Sequence, residues 1–161
     1  MAASLLNTTR LLLAMAAVSV AAVGIALVSQ HVFDMQPCPW CILQRIIYLA
    51  VATLCLIGAA VSAGLVRRGI GVLALLLALG GGASALYQDL VASKSVSCNL
   101  TFADKVISAL GLDGALPPLL QVTANCSDAA VSVLGVPYAY WSLMLFIAMA
   151  AASIRVVLRA R

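Results

Sequence analysis

Residues 38–66 read CPWCILQRIIYLAVATLCLIGAAVSAGLV, a dithiol followed by an apolar run in which Arg45 is the sole charge. A bilayer core of roughly 30 Å takes about 20 mostly apolar helical residues to cross. The stretch 42–66 has that length, and so do 11–29, 70–90 and 136–158. Within these four only Arg45, Asp89 and Arg155 are charged, each near enough to an end for its side chain to reach the interface. The whole chain is 65% hydrophobic and 9% charged, too apolar to cover itself with a water-soluble surface. The expected fold is all-α: one integral membrane domain, 1–161, built as a four-helix bundle. A cleaved signal peptide fits the first stretch poorly, because 11–29 exceeds the usual apolar core of about 7 to 15 residues. Gly80-Gly81-Gly82 in the third stretch is expected to let helices approach closely.

Charge orients the bundle. Arg10, Arg67, Arg68, Arg155, Arg159 and Arg161 collect on one face, against Lys94, Lys105 and the border residue Arg45 on the other. By the positive-inside rule the arginine-rich face, with both termini, is cytoplasmic. The connections 30–41 and 91–135 are then extracytoplasmic. They carry Cys38, Cys41, Cys98 and Cys126 into a compartment where disulfides persist. Cys55, deep in the second span, reads as a small packing residue.

In Cys38-Pro39-Trp40-Cys41 the proline suits the first turn of a helix. Cys41 then sits at the amino end of the span, where the helix dipole favours an anion. Arg45, four residues on, adds a positive charge on the same face, so both effects favour a thiolate at Cys41. The competing readings are an inert structural disulfide and, for Arg45, a plain interface anchor. Zinc would need all four loop cysteines, whose spacing is unlike a finger, so no metal is expected. No nucleic-acid partner is expected either.

The connection 91–135 is too long for a simple link. Phe102, Val106, Ile107 and Leu110 have the spacing of a short amphipathic helix, expected to lie on the outer leaflet of the lipid bilayer. Leu116, Leu119 and Leu120 around Pro117-Pro118 make a second apolar patch. The alternative is a loop that packs on the spans without touching lipid. Cys98 and Cys126 bracket this segment, and a disulfide between them could simply close the loop.

Together these features resemble the DsbB family of bacterial inner-membrane disulfide-generating oxidoreductases across nearly the whole chain. The likeness rests on Cys38-Pro39-Trp40-Cys41-Ile42-Leu43-Gln44-Arg45 leading into the second of four spans, and on a second cysteine pair in a long loop. It continues in Leu134-Gly135-Val136-Pro137 with Trp141 at the start of the last span. The resemblance implies that a periplasmic DsbA-like thioredoxin-fold protein delivers two electrons and that a membrane quinone, ubiquinone or menaquinone, removes them. It further implies that the partner's thiolate attacks Cys98 and that Cys126 exchanges with Cys38. Cys41 is then left facing the quinone beside Arg45. Whether Cys38 rests paired with Cys41 or with Cys126 stays open, since four cysteines allow three connectivities.

In one respect the chain departs from some relatives, which carry a histidine late in span three. Here the stretch reads Leu86-Tyr87-Gln88-Asp89, and the only histidine is His31, at the outer end of span one. Asp89 or water is left as the proton donor to a reduced quinone. Two rivals remain. A vitamin K epoxide reductase-like bundle is expected to carry its redox CxxC near the last span, and a structural membrane protein would use its disulfides only as braces.

Overall fold

Cys38 is extended, with φ −86° and ψ 169°, and Pro39 takes the first helical position, so the chain turns sharply into its second long helix. The computed structural model describes residues 2–94, 101–111 and 116–159; Cys98 and Arg161 lie outside them. The order is α1 (Ala2–Val32), α2 (Pro39–Ala60), α3 (Gly64–Leu90), a 3-10 turn (Ala92–Lys94), α4 (Phe102–Leu110), α5 (Pro117–Leu120), β1 (Ser132–Val133), β2 (Val136–Pro137) and α6 (Tyr138–Arg159). Four of these, α1, α2, α3 and α6, are long and apolar enough to cross a membrane, so the protein is an all-α membrane bundle.

The link between the second and third helices is shorter than the hydropathy suggests. The run 42–66 was expected to be one span, yet α2 stops at Ala60 and α3 starts at Gly64. Arg67 and Arg68, expected to fill the connection, lie in the first turns of α3. The reason is that Arg67 turns back on the end of α2. Its Nε donates to Val61 O at 2.6 Å and its Nη2 to Ala59 O at 3.4 Å, which satisfies carbonyls a helix end leaves without partners. Nη2 also donates to Thr9 Oγ1 at 2.9 Å and pins α1 to the same corner.

Helix α3 packs most extensively on α6, α1 packs on α2, and α1 meets α6 only thinly. The core contains Leu12, Met15, Val51, Cys55, Ala74, Ala78, Phe146, Met149 and Val156. Cys55 is fully buried among them, in keeping with a packing role. Of the glycine triad, Gly81 makes the close approach: a Cβ there would run into the Phe146 ring, whereas one on Gly80 would meet nothing within 4 Å. Phe146 in turn stacks on Tyr48, with centroids 4.3 Å apart and planes at 8°.

At the end of the bundle where α2 begins, the long connection folds down onto it. Thr101 and Asp104 form a capping box that starts α4, and Gly111, at φ 61°, ends it. The expected apolar stripe is split. Ala103 and Ile107 turn inward, Ile107 against Ile42 and Leu120, while Phe102 and Leu110 stay exposed. Inward packing follows the i, i+4 pair of Ala103 and Ile107, a face the pattern of large residues did not mark. Leu134 (φ 55°) and Gly135 (φ 78°) form the two-residue turn of a hairpin that feeds α6.

Adding a methyl group at Gly81 forces the Phe146 ring aside. Gly81→Ala should therefore destabilise the bundle by about 1 to 3 kcal/mol, the usual range for overpacking. Gly80→Ala should leave it unchanged. Thermal unfolding in detergent compares the two.

Candidate functional site

Three sulfurs meet at the mouth of α2. Cys38 Sγ lies 2.8 Å from Cys41 Sγ and is also hydrogen-bonded to Cys126, so it stands between the other two. Local structure explains the meeting. Pro37 O accepts the N–H groups of Thr123 at 3.1 Å and Ala124 at 3.2 Å, which ties the chain after α5 to the residue before Cys38. The backbone of Trp40 donates to Cys126. The Trp40 ring leans on Tyr87, centroids 4.7 Å apart, and Cys38, Trp40, Ala92, Ala103, Cys126 and Ala129 close into a small apolar cluster. Cys98 falls outside the described residues.

The environment distinguishes the thiols. Cys38 is fully buried and shares side-chain hydrogen bonds with Cys126 and Cys41, which pushes it far above the ordinary thiol range. Cys126, sharing one of those bonds and accepting another from Trp40 N–H, is held below the ordinary range although burial opposes the shift. A central sulfur in contact with one sulfur on each side is an arrangement in which exchange can run either way through Cys38.

Arg45 is buried, and its three hydrogen bonds reach two other elements, α1 and α5. Nη1 donates to Gln30 Oε1 at 2.8 Å and to Leu119 O at 3.0 Å, and Nη2 donates to Ala26 O at 3.3 Å. All three acceptors are neutral, so the guanidinium is hydrogen-bonded without losing its charge. Two glutamines that sequence reasoning passed over complete the site. Gln44 Nε2 donates to Gln88 Oε1 at 2.7 Å, and Gln88 Nε2 donates to Cys41 Sγ at 3.2 Å. A signal was present, because an amide within an apolar span must find a partner.

Cys41, Gln44, Arg45 and Gln88 share one corner of a cavity of about 560 Å³, a volume typical of sites for small organic ligands. Its walls are Ala22, Ile25 and Ala26 of α1, Tyr48 of α2, and Tyr138, Trp141, Ser142 and Leu145 of α6. It therefore follows the thin seam between α1 and α6. Tyr48 closes one wall by hydrogen bonding to Ser142 Oγ at 3.0 Å. Asp89, named from the sequence as a possible proton donor, is not among the lining residues and is hydrogen-bonded to Tyr140. His31 is exposed and also lies outside the lining.

Comparison with known proteins points one way. The family model of disulfide bond formation protein DsbB matches residues 8–156. The chain is 31% identical over 144 residues to disulfide bond formation protein B of Herminiimonas arsenicoxydans, covering 89% of this chain and 91% of that protein. It is 35% identical over 133 residues to disulfide bond formation protein B 1 of Pseudomonas aeruginosa, with coverages of 80% and 82%. With its counterpart in Aromatoleum aromaticum it shares 34% identity over 163 residues, 96% and 95% of the two chains.

If Cys38 holds Cys126 below the ordinary thiol range, removing its S–H must release that hold. In the fully reduced protein, Cys38→Ala should slow alkylation of Cys126 near neutral pH, because less of it is then thiolate. Peptide mass mapping after a timed iodoacetamide pulse measures it.

Proposed function

The chain belongs to the disulfide bond formation protein B family, and on that premise we propose that this oxidoreductase reoxidises a periplasmic DsbA-like thioredoxin-fold protein and passes the electrons through two cysteine pairs to a membrane quinone. The observation that carries the reading is the place of Cys38, in contact with Cys126 on one side and with Cys41 on the other, while Cys41 lines an apolar cavity. The arginine distribution favours a bacterial inner-membrane protein with both termini cytoplasmic and the cysteines on the periplasmic face.

In this reading the partner's thiolate attacks Cys98 in a Cys98–Cys126 disulfide, forming a mixed disulfide and releasing Cys126 as thiolate. Cys126 attacks Cys38, breaking Cys38–Cys41 and releasing Cys41 as thiolate. The partner's second thiol then attacks the mixed disulfide, leaves oxidised and frees Cys98. Cys98 re-forms its bond with Cys126, and Cys38 is freed. Two electrons now rest on the Cys38/Cys41 dithiol. A quinone, ubiquinone or menaquinone, supplies a two-electron sink when bound. Such a sink is needed because the oxidants of this partner class stand at about −120 mV, far above ordinary structural disulfides.

The residues present fit such a group. The cavity has apolar walls for a ring and its tail, and its few polar atoms gather where Cys41 opens into it. Arg45 places its charge at that corner and Gln88 holds the Cys41 sulfur. The cavity follows the seam where α1 and α6 pack least, the side from which a lipophilic molecule would enter.

Purified, quinone-depleted protein should oxidise a reduced thioredoxin-fold partner only after a quinone is added, and Cys41→Ser, Cys98→Ser and Cys126→Ser should each abolish turnover. Turnover without quinone, or normal turnover in any of the three, removes the route. In a separate assay, Arg45→Gln should raise the KM for quinone by about tenfold or more, the worth of one charge-assisted hydrogen bond. An unchanged KM would leave Arg45 as an anchor between helices.

A further inference from the structure

We propose that Gln44 and Gln88 form a paired-amide device that fixes an N–H donor on the Cys41 sulfur and so selects Cys41, over Cys38, as the anion facing the cavity. The two side chains come from different helices, Gln44 from α2 one turn after Cys41 and Gln88 from the last turn of α3. Both are deeply buried, at 5% and 6% exposure, at a depth where an amide without a partner is costly. Each restricts the other. Gln88 Oε1 accepts from Gln44 Nε2 at 2.7 Å, and with its carbonyl end occupied Gln88 can turn only its N–H toward Cys41 Sγ, at 3.2 Å. Turning Gln88 alone would set N–H against N–H. Turning both amides together gives the other consistent setting, with Gln88 Oε1 toward the sulfur, and that setting suits a thiol because an S–H can donate to it.

Only the observed setting gives a thiolate an N–H donor, and that charge-assisted bond is the stronger of the two, so the pair favours the anion at Cys41. In the setting observed, Cys41 Sγ accepts a side-chain amide N–H from Gln88, whereas the donor to Cys38 Sγ is the Cys41 backbone N–H at 3.4 Å, and the two sulfurs share one further contact at 2.8 Å. The other charged or titratable groups about Cys41 are Cys38 and Cys126 at the mouth of the helix, Arg45 and Tyr48 on α2 and Tyr138 at the start of α6. Among the described residues the cavity lining contains no carboxylate and no imidazole. A glutamine donor adds no titration of its own to those of the three thiols. A histidine at residue 88 would add one.

This inference deepens the reading of Cys41 as the sulfur from which electrons leave, and it is tested apart from that reading by measuring Cys41 without quinone. The whole protein, reduced in detergent, is alkylated with iodoacetamide across a pH series, and labelling at Cys41 and Cys126 is read by peptide mass mapping. Gln88→Met, close in shape but lacking the donor, should move the Cys41 profile up by roughly one pH unit, a tenfold slower reaction below the midpoint. The double variant Gln44→Met/Gln88→Met leaves no amide unpaired, so it guards against misfolding, and it should show the same shift. Gln88→His should split the Cys41 profile into two steps. The Cys126 profile, which feels Cys41 only through its charge and through Cys38, should move much less than that of Cys41. A wild-type Cys41 profile in the double variant overturns the inference. An equal shift of Cys41 and Cys126 also overturns it, by assigning the effect to repacking. If the profiles move as expected while Cys41→Ser still turns over with quinone, the electron route fails and the amide pair stands.

Discussion

Burying the Arg45 guanidinium at 5% exposure inside an apolar bundle costs several kcal/mol of desolvation, and the architecture around the cysteines is arranged to meet that cost. No carboxylate neutralises it among its hydrogen-bond partners, which are a glutamine oxygen and two backbone carbonyls. Those acceptors belong to α1 and to α5, so the charge fixes how the long connection lies across the helices. Drawing Leu119 O toward Arg45 places α5 on the bundle, and the chain that leaves α5 is then caught by Pro37 O at Thr123 and Ala124. Cys126 follows directly. The adjacency of Cys126 and Cys38 is thus tied to the burial of one cation about two helical turns from Cys38.

A second buried arginine shows what is particular about the first. Arg67 is just as enclosed, yet its acceptors include carbonyls at the carboxyl end of α2, where positive charge is favoured. That end of the helix gains a cap and Arg67 is fully accounted for by structure. Arg45 sits near the opposite end of the same helix, where the dipole repels a cation and attracts an anion. It is held there despite the helix, and on the proposed reading the anion that accounts for it is a thiolate at Cys41, one turn earlier, where Gln88 N–H already donates.

Parts of this were legible in the sequence for clear reasons. The four long apolar stretches announce helices because nothing else satisfies a backbone in lipid, and the position of Cys41 relative to Pro39 and Arg45 is fixed by helical spacing alone. The end of α2 was not legible, since residues 61–66 are as apolar as the helix before them and the break depends on Arg67 reaching back across it. Nor was the role of Gln88, whose partner Gln44 lies 44 residues earlier in the chain and on another helix. The cavity was equally hidden. It is a property of how far apart two helices stand, which no single stretch of residues encodes.

That spacing follows from where the small residues are. Gly81 admits the Phe146 ring and Gly71 admits Val156 and Val157, so α3 and α6 are drawn close along their length. Phe146, seated on Gly81, carries Tyr48 against its face, and Tyr48 bonds to Ser142 on the same α6. Helix α6 is thereby committed to α3 and α2, and α1, held to α2 by Arg45 and to the opposite corner by Arg67, has no comparable contact left with it. The seam stays thinly packed because both helices that border it are fastened mainly elsewhere. Tight packing on one side of α6 and the apolar cavity on the other are consequences of the same glycines, and the polar corner at Cys41 lies where that cavity meets the three sulfurs.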